Sequence, residues 1–197
     1  MKSIQGRPKD EHKRAQILRA AAELFLSIGF VAATMDAVAQ HAGVSKQTVY
    51  SHFANKESLF KAAIQQKSEE YDLTADFFEK VLPIQTLLSE LAAHLSAILC
   101  SDDGVRMQRL CVAHAEDRPE IAAMFFEAGP RTVTNLLSSY LKKQNELLGG
   151  SIGNCEFAAL QFQHLVKGEA EMLALYNLQG WDNDKKAVYL KNSVALF

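Results

Sequence analysis

Side chains able to hydrogen bond to nucleic-acid bases cluster between positions 45 and 52. The segment SKQTVYSH supplies hydroxyls, an amide, an amino group and an imidazole, and Val49 is its only aliphatic residue. Helical spacing places Val49 and Phe53 on one face and leaves the other face polar. Such a helix can enter the major groove of DNA, where its first residues reach base edges. We therefore predict DNA contacts for Ser45, Lys46, Gln47, Thr48, Tyr50, Ser51 and His52.

A second short helix must precede this candidate recognition helix. Thr34 is a good N-cap, Asp36 suits the first turn, and Gly43 can take the positive φ that follows a helix end. Ser45 then caps the recognition helix. This arrangement predicts a helix-turn-helix over TMDAVAQHAGVSKQTVYSHF, and Thr34 is included among the predicted DNA contacts.

The flanking segments can support this motif. Apolar residues from Ile17 to Ile28 recur on one helical face, and Gly29 ends that helix. Asn55 can cap a further helix, which we expect to run to about Lys80 and to connect the motif with the rest of the chain. At the start of that helix, Lys56 is predicted to contact a phosphate. The N-terminal MKSIQGRPK is either a solvated tail or a basic arm that places Arg7 against DNA.

The region from Gly6 to Ala63 resembles the DNA-binding domain of the TetR/AcrR family of bacterial transcriptional repressors. The resemblance is carried by ILRAAAELFLSIGF, by the helix-turn-helix itself and by NKESLFKAA. It implies an all-α protein with an N-terminal three-helix DNA-binding domain and a C-terminal helical domain for ligand binding and dimerisation. It also implies a homodimer that binds a palindromic double-stranded operator and is released by a small-molecule inducer.

The charge distribution favours the same division. The 197 residues have a net charge of −2, but residues 1–67 contain ten Lys and Arg against five Asp and Glu, and the remainder contains eleven against eighteen. The basic part, which holds the predicted motif, can attract phosphates. We expect a DNA-binding domain over residues 1–67 and a second domain over residues 68–197.

Residues 68–197 have helical periodicity throughout, and AHAEDRPEIAAMFFEAGPR resembles the AefR-like C-terminal domain of the same family. In this family the C-terminal helices usually enclose an apolar pocket. The resemblance therefore implies a site for a small apolar or amphipathic effector, with polar groups from Arg109, His114 and Gln161. Predicted apolar lining residues are Leu91, Leu95, Met107, Cys111, Phe125, Phe126 and Phe162.

The segment from Cys155 to Leu178 is apolar on more than one side, which is typical of a helix shared between a core and an interface. Phe157, Leu160, Leu165 and Met172 form one stripe, and Ala158, Phe162, Val166 and Leu173 form the other. We expect one stripe to face a partner subunit, with Gly168 allowing close approach. The predicted dimer contacts are Val133, Leu137, Tyr140, Phe157, Phe162, Leu165 and Val166.

Other chemistry has little support in the sequence. The six histidines lack ligand spacing, and no nucleophile elbow, phosphate loop or dinucleotide fingerprint occurs, so we predict no metal, no cofactor and no enzymatic activity. Cys100 and Cys111 flank a loop and could form a redox switch, although a buried free cysteine is the more common case. Control by a protein partner or by cysteine oxidation is one alternative. A small-molecule-binding or catalytic protein with a vestigial DNA module is another.

The predicted localisation depends on two kinds of segment, export signals and membrane-spanning helices. The start of the chain has no signal-peptide pattern, and the apolar runs are too short to span a bilayer. Three cysteines without C-x-x-C spacing suit a reducing compartment. We therefore expect a cytoplasmic protein without a membrane partner.

Overall fold

The computed structural model describes residues 7–147 and 149–197, except for the side chains of residues 7–9. Within these ranges the regular secondary structure is entirely α-helical, which confirms the predicted fold class. The helices are α1 (Arg7–Ala32), α2 (Met35–His41), α3 (Lys46–His52), α4 (Lys56–Glu70), α5 (Ala75–Phe78), α6 (Ile84–Leu99), α7 (Asp102–Ala113), α8 (Pro119–Ala128), α9 (Pro130–Leu147), α10 (Cys155–Leu175) and α11 (Asn183–Leu196).

The helices form two compact units. Unit 1 comprises the described part of residues 1–67 together with residues 110–128, and unit 2 comprises residues 68–109 and 129–197. Residues 110–128, which were expected in a second domain over residues 68–197, pack in unit 1. Helix α7 contributes residues to both units.

An aromatic cluster lies at the centre of unit 1. Helix α1 breaks at Gly29, where φ is +83°, a value that glycine adopts without strain. The break turns Phe30 back into the core, with its ring centroid 5.7 Å from that of Phe25 and 5.1 Å from that of Phe60. Ile17 and Leu18 of α1 are buried beside them. Burial of this apolar face fixes α4 against α1.

The two motif helices have the predicted caps. The Thr34 hydroxyl accepts a hydrogen bond from the backbone N–H of Ala37 at 3.1 Å. The Ser45 hydroxyl accepts one from the N–H of Thr48 at 3.1 Å. Gly43 has a φ of +65° in the turn between α2 and α3. The helix-turn-helix over these residues is therefore confirmed, because each cap satisfies an N–H that lacks a partner within its helix.

The connection after α4 differs from the expected long helix to Lys80. Helix α4 ends at Glu70, and Asp72 takes a φ of +56° in the following turn. Thr74 then caps the short helix α5 by accepting from the N–H of Phe77 at 3.3 Å. After this turn, Phe77 and Phe78 are buried in the core of unit 2.

Unit 2 is built around α6, α9 and α10, which share one apolar core with α5 and α11. A buried polar pair lies between α9 and α10, where the Gln163 amide donates to the Thr134 hydroxyl at 2.8 Å. The same hydroxyl donates to the carbonyl of Pro130 at 3.0 Å. Buried polar groups must be paired, so this contact favours one register of α9 against α10.

Helix α10 is kinked at Gly168, where φ is +51° and ψ is −157°. Beside the kink, the carbonyl of Leu165 accepts a hydrogen bond from the Tyr189 hydroxyl of α11 at 2.8 Å. A Cβ on Gly168 would lie 2.5 Å from that hydroxyl oxygen. The expected close approach at Gly168 is thus made by the chain's own Tyr189, which closes α11 onto α10.

Candidate nucleic-acid interface

Helix α3 is attached to unit 1 by one face only. Val49 is buried on its inner side, and Phe53, directly after its last turn, is buried as well. The outer side carries exposed Lys46, Gln47, Tyr50 and Ser51. The period of the apolar residues determines this orientation, because a side chain four positions from Val49 returns to the same face. Helix α3 therefore presents a polar surface of the kind that enters a DNA groove.

The hydroxyl groups of this surface bond within the motif. The Ser45 and Thr48 hydroxyl oxygens are 2.8 Å apart. The Ser51 hydroxyl donates to the carbonyl of Thr48 at 2.7 Å. Thr34 and Ser45 cap their helices, so the predicted contacts at these four positions are partly occupied by local structure. Thr34, Ser45 and Ser51 are nevertheless exposed, whereas Thr48 is half-buried.

Lys46 is held by an acidic neighbour. Its Nζ donates to the Asp36 carboxylate of α2 at 2.8 Å and lies 5.9 Å from the centroid of the Tyr50 ring. The hydrogen bond to Asp36 raises the pKa of the Lys46 ammonium. Both partners are exposed, so the pair adds little stability but directs the ammonium along the surface of α3.

Gln47 and Tyr50 differ from their neighbours. Among the described residues, neither the Gln47 amide nor the Tyr50 hydroxyl has a hydrogen-bond partner, and both side chains are exposed. An amide can form a bidentate pair with an adenine edge, and a phenol can donate to a base or a phosphate. Gln47 and Tyr50 are therefore the predicted base contacts that combine an exposed side chain with no hydrogen bond to another described residue.

Two of the predicted DNA contacts have side chains that are bonded to other residues of unit 1. His52 has a side chain only 10% exposed, with its Nε2 3.1 Å from the carboxylate of Asp10 in α1. The Lys56 ammonium donates to the carbonyls of Phe30, Val31 and Ala33 at 2.7, 3.2 and 3.0 Å. The expectation of a free phosphate-binding group is corrected at both positions, because partners distant in sequence hold these side chains. The side chain of Arg7 lies outside the described residues.

Other cations extend the basic surface of unit 1. Lys13, Arg14 and Arg19 of α1 and Lys61 of α4 are exposed. The Arg14 guanidinium carbon lies 5.5 Å from the centroid of the Phe53 ring, at the end of the recognition segment. None of these four residues is among the DNA contacts predicted from the sequence. The net positive charge of residues 1–67 indicated a basic surface, but it did not indicate which lysines and arginines form it.

The predicted ligand-binding residues divide between the two units. Leu91, Leu95 and Phe162 are buried in the core of unit 2. Met107 is buried in the same unit, Gln161 is exposed, and the Arg109 guanidinium donates to the carbonyls of Ala174 and Leu175 at 2.9 Å. Unit 1 contains buried Cys111, half-buried His114 and Phe125, and exposed Phe126.

A cleft of about 270 Å³ occurs in unit 1. It lies where the end of α1, the start of α4 and the start of α8 meet, and none of the predicted ligand residues line it. Charges of both signs surround an apolar floor. The lining residues are Phe30, Val31, Lys56, Glu57, Arg118, Glu120, Ile121 and Met124.

The predicted dimer contacts need a larger correction. Val133, Leu137 and Tyr140 of α9, with Phe162 and Val166 of α10, are buried in the core of their own unit. Leu165 is half-buried, and only Phe157 is well exposed, at 59%. Both stripes of α10 are apolar, so periodicity alone did not indicate which one forms the core. The exposed stripe contains Phe157 and Met172, and Leu196 of α11 is also exposed.

Further observations concern metal and membrane binding. In the described ranges, no group of three or more His, Cys, Asp or Glu residues has a metal-binding arrangement.

The expectation that no segment could span a bilayer needs correction. By length and composition alone, residues 10–32 of α1 are long and apolar enough to cross a membrane. The buried face of this helix, however, forms the core of unit 1 through Ile17, Leu18 and Phe25.

A capped helix-turn-helix with a polar recognition face, followed by a helical second unit, defines a DNA-binding transcriptional regulator. Family comparison agrees with this class. Residues 17–63 match the family of bacterial regulatory proteins called tetR, and residues 86–197 match the AefR-like transcriptional repressor C-terminal domain. The chain belongs to the TetR family, as its resemblance predicted. This family and the relatives below are transcriptional regulators.

Individual relatives support the same assignment. The uncharacterised regulator YdeS of Bacillus subtilis is 31% identical over 146 residues, which cover 73% of this chain and 72% of YdeS. The transcriptional activator FasR of Mycolicibacterium smegmatis is 48% identical over 59 residues, which cover 30% of this chain and about a quarter of FasR. The structure of the flavonoid-responsive regulator FrrA has a TM-score of 0.69 at 27% identity, with 94% of this chain and 95% of FrrA covered.

Proposed function

We propose that this protein is a ligand-controlled, homodimeric repressor that binds a palindromic operator through α3. The outer face of α3 supports this proposal most strongly, because it presents Gln47 and Tyr50, which have no hydrogen bonds to other described residues. In this account the hydroxyls of Ser45 and Thr48 shape the start of the helix. Lys46 and the exposed cations of α1 attract phosphates.

A dimer would provide the second recognition helix. Phe157 and Met172 of α10 and Leu196 of α11 are exposed large apolar side chains on unit 2. Exposed large apolar side chains of this kind are more common at association sites than on the rest of a protein surface. The outer face of α9, in contrast, carries Asn135, Ser139 and Lys142. We therefore propose that α10 and α11, rather than α9, form the subunit interface.

Control by a small molecule is the regulatory part of the proposal. FrrA, a regulator of similar fold, is flavonoid-responsive, which supports control of this protein by a small molecule. A ligand that favours a dimer with displaced recognition helices must weaken DNA binding by the same factor by which DNA weakens ligand binding. Not every relative is a repressor, since FasR is a transcriptional activator.

The cysteine-oxidation alternative has less support in the structure. Desolvation raises the pKa of the Cys111 thiol to about 11 from an ordinary value of 9.0. At neutral pH the residue is therefore a thiol, while oxidants react with the thiolate. Cys155 is also buried, and Cys100 is half-buried. We propose that the protein acts in the cytoplasm and that a ligand, rather than cysteine oxidation, controls its binding to DNA.

Selection of DNA from a random duplex library tests this function. We expect the purified protein to enrich an inverted repeat whose half-site centres are about one helical turn apart, roughly 10 bp, or a multiple of that spacing. A matching sequence should occur upstream of the regulated genes. Enrichment of no sequence, or of a single unrepeated site, would contradict the proposed dimeric mode of binding.

A further inference from the structure

Two buried polar atoms of unit 2 have no hydrogen-bond partner among the described residues. They are Nδ1 of His94 on α6 and the hydroxyl oxygen of Tyr140 on α9. Tyr140 is only 5% exposed. Nearly all buried polar groups in folded proteins are paired, so each exception requires an explanation. Each of these two atoms therefore marks a position at which another molecule could supply the missing partner.

The two atoms belong to the ends of one row of aromatic rings. The His94 ring centroid lies 5.3 Å from that of Phe77, which lies 5.2 Å from that of Phe78. The Phe78 centroid is in turn 5.9 Å from that of Tyr140. Helices α5, α6 and α9 each contribute to this row. An aromatic ligand that packs against this row would therefore meet aromatic rings together with one or both of the polar groups.

The charges near the row favour a neutral ligand. Phe77, Phe78 and Tyr140 belong to the buried apolar cluster of unit 2. The Lys80 ammonium lies 4.4 Å from the centroid of the Phe77 ring, but it is already paired with Asp72 at 2.7 Å. A carboxylate or sulfonate entering this core would lose its hydration and would have to compete with Asp72 for that cation.

We propose that the His94–Phe77–Phe78–Tyr140 row is the effector site of unit 2 and accepts a neutral aromatic molecule bearing a hydroxyl or carbonyl group. The Tyr140 hydroxyl donates to an oxygen of the ligand, and Nδ1 of His94 can bond a second polar group of a ligand that extends along the row, in a direction set by its tautomer. This inference rests on the proposed function, because it specifies the ligand class and the polar contacts of that regulatory site.

Three related probes test the ligand class in the full-length protein. These probes are 2-naphthol, which has a hydroxyl, naphthalene, which has no polar group, and 2-naphthoate, which is charged. We expect saturable binding of one 2-naphthol per subunit, at least about tenfold tighter than binding of either other probe, since one net hydrogen bond corresponds to roughly this factor. Equal affinity for naphthalene and 2-naphthol, or no saturable binding of 2-naphthol, would overturn the proposal.

A substitution separates ligand binding from a structural role. Tyr140→Phe should weaken 2-naphthol binding about tenfold and leave naphthalene binding unchanged. It should not lower the thermal midpoint of the free protein, because the hydroxyl it removes has no partner among the described residues. Tyr176→Phe is the matched control, since Tyr176 is 66% exposed. A lower midpoint together with unchanged 2-naphthol affinity would show that the Tyr140 hydroxyl is structural or bound to water.

Measuring operator affinity with and without 2-naphthol distinguishes failure of this inference from failure of the proposed function. If 2-naphthol binds through Tyr140 but leaves operator affinity unchanged, the ligand site stands and ligand-controlled release is wrong. If 2-naphthol releases the wild type and Tyr140→Phe from DNA at the same concentrations, release stands and this site is wrong. Loss of response only in Tyr140→Phe would support both.

Discussion

Gln47 is the residue at which sequence-specific recognition can be tested most directly. Its amide is exposed near the start of α3, with no hydrogen-bond partner among the described residues. Gln47→Ala should reduce discrimination at one base position per half-site by about 1–3 kcal/mol. Affinities for single-base operator variants measure this effect.

The control for Gln47 is another exposed glutamine in the same motif. Gln40 lies on α2 and is also exposed. Gln40→Ala should leave the relative affinities unchanged, because α2 is not the recognition helix. A Gln47→Ala variant with the base preferences of the wild type would show that Gln47 does not contact bases.

Lys56 illustrates how a charged residue of a binding domain can have a structural role. Its ammonium donates to three carbonyls near the end of α1 and lies 4.5 Å from the centroid of the Phe30 ring. Lys56→Met should lower the free energy of unfolding by about 1–3 kcal/mol, since charged hydrogen bonds are lost and the carbonyls are left without this donor. Urea unfolding followed by circular dichroism measures the loss.

Lys61 is the matched control for Lys56 because it is an exposed lysine of the same helix. Lys61→Met should change stability by less than about 0.5 kcal/mol. If Lys56→Met unfolds at the same urea concentration as the wild type but loses affinity for all DNA sequences, the residue is a phosphate contact, as its position at the start of α4 predicts.

At the scale of elements, the kink in α10 depends on Gly168. Its φ of +51° is strained for other residues, and an added Cβ would lie 2.5 Å from the Tyr189 hydroxyl oxygen. Gly168→Ala should therefore destabilise the protein by about 1–3 kcal/mol. Thermal unfolding of the variant measures this change.

Gly153 provides the corresponding control, because a Cβ added to it would meet no atom within 4 Å beyond its neighbours in the chain. Gly153→Ala should unfold within a few degrees of the wild type. Similar midpoints for Gly168→Ala and the wild type would mean that the kink is not required by the fold.

Elements whose signals are local were predictable from the sequence. Thr34 and Ser45 cap helices through N–H groups three residues ahead, and their residue types therefore indicate the helix starts directly. Partners distant in sequence were not predictable. His52 pairs with Asp10, and Lys56 with the end of α1, yet no spacing rule connects these positions. The two apolar stripes of α10 were recognised, but a period cannot specify which surface covers each stripe.

At the scale of the whole molecule, the exposed stripe of α10 should form the subunit interface. Phe157 is 59% exposed, whereas Phe162 is fully buried. Phe157→Glu should therefore produce a folded monomer with much weaker operator binding, because a charge is costly in an apolar interface. Analytical ultracentrifugation and circular dichroism measure assembly and folding separately.

Asn135→Glu on the polar outer face of α9 is the control and should remain dimeric. A Phe157→Glu variant that sediments as the wild type would place the interface elsewhere. A wild-type monomer at micromolar concentration would exclude this form of dimer.

Operator binding by this protein requires two linked recognition helices, and scrambling one half-site of the operator tests that requirement. The measurement compares the affinity of the wild type for the selected inverted repeat with its affinity for an equally long duplex in which one half-site is scrambled. Because the second α3 binds at high effective concentration once the first has bound, we expect a loss of about 100-fold or more and one dimer per intact duplex. Affinities that agree within about twofold would contradict the account, since each subunit would then bind DNA independently.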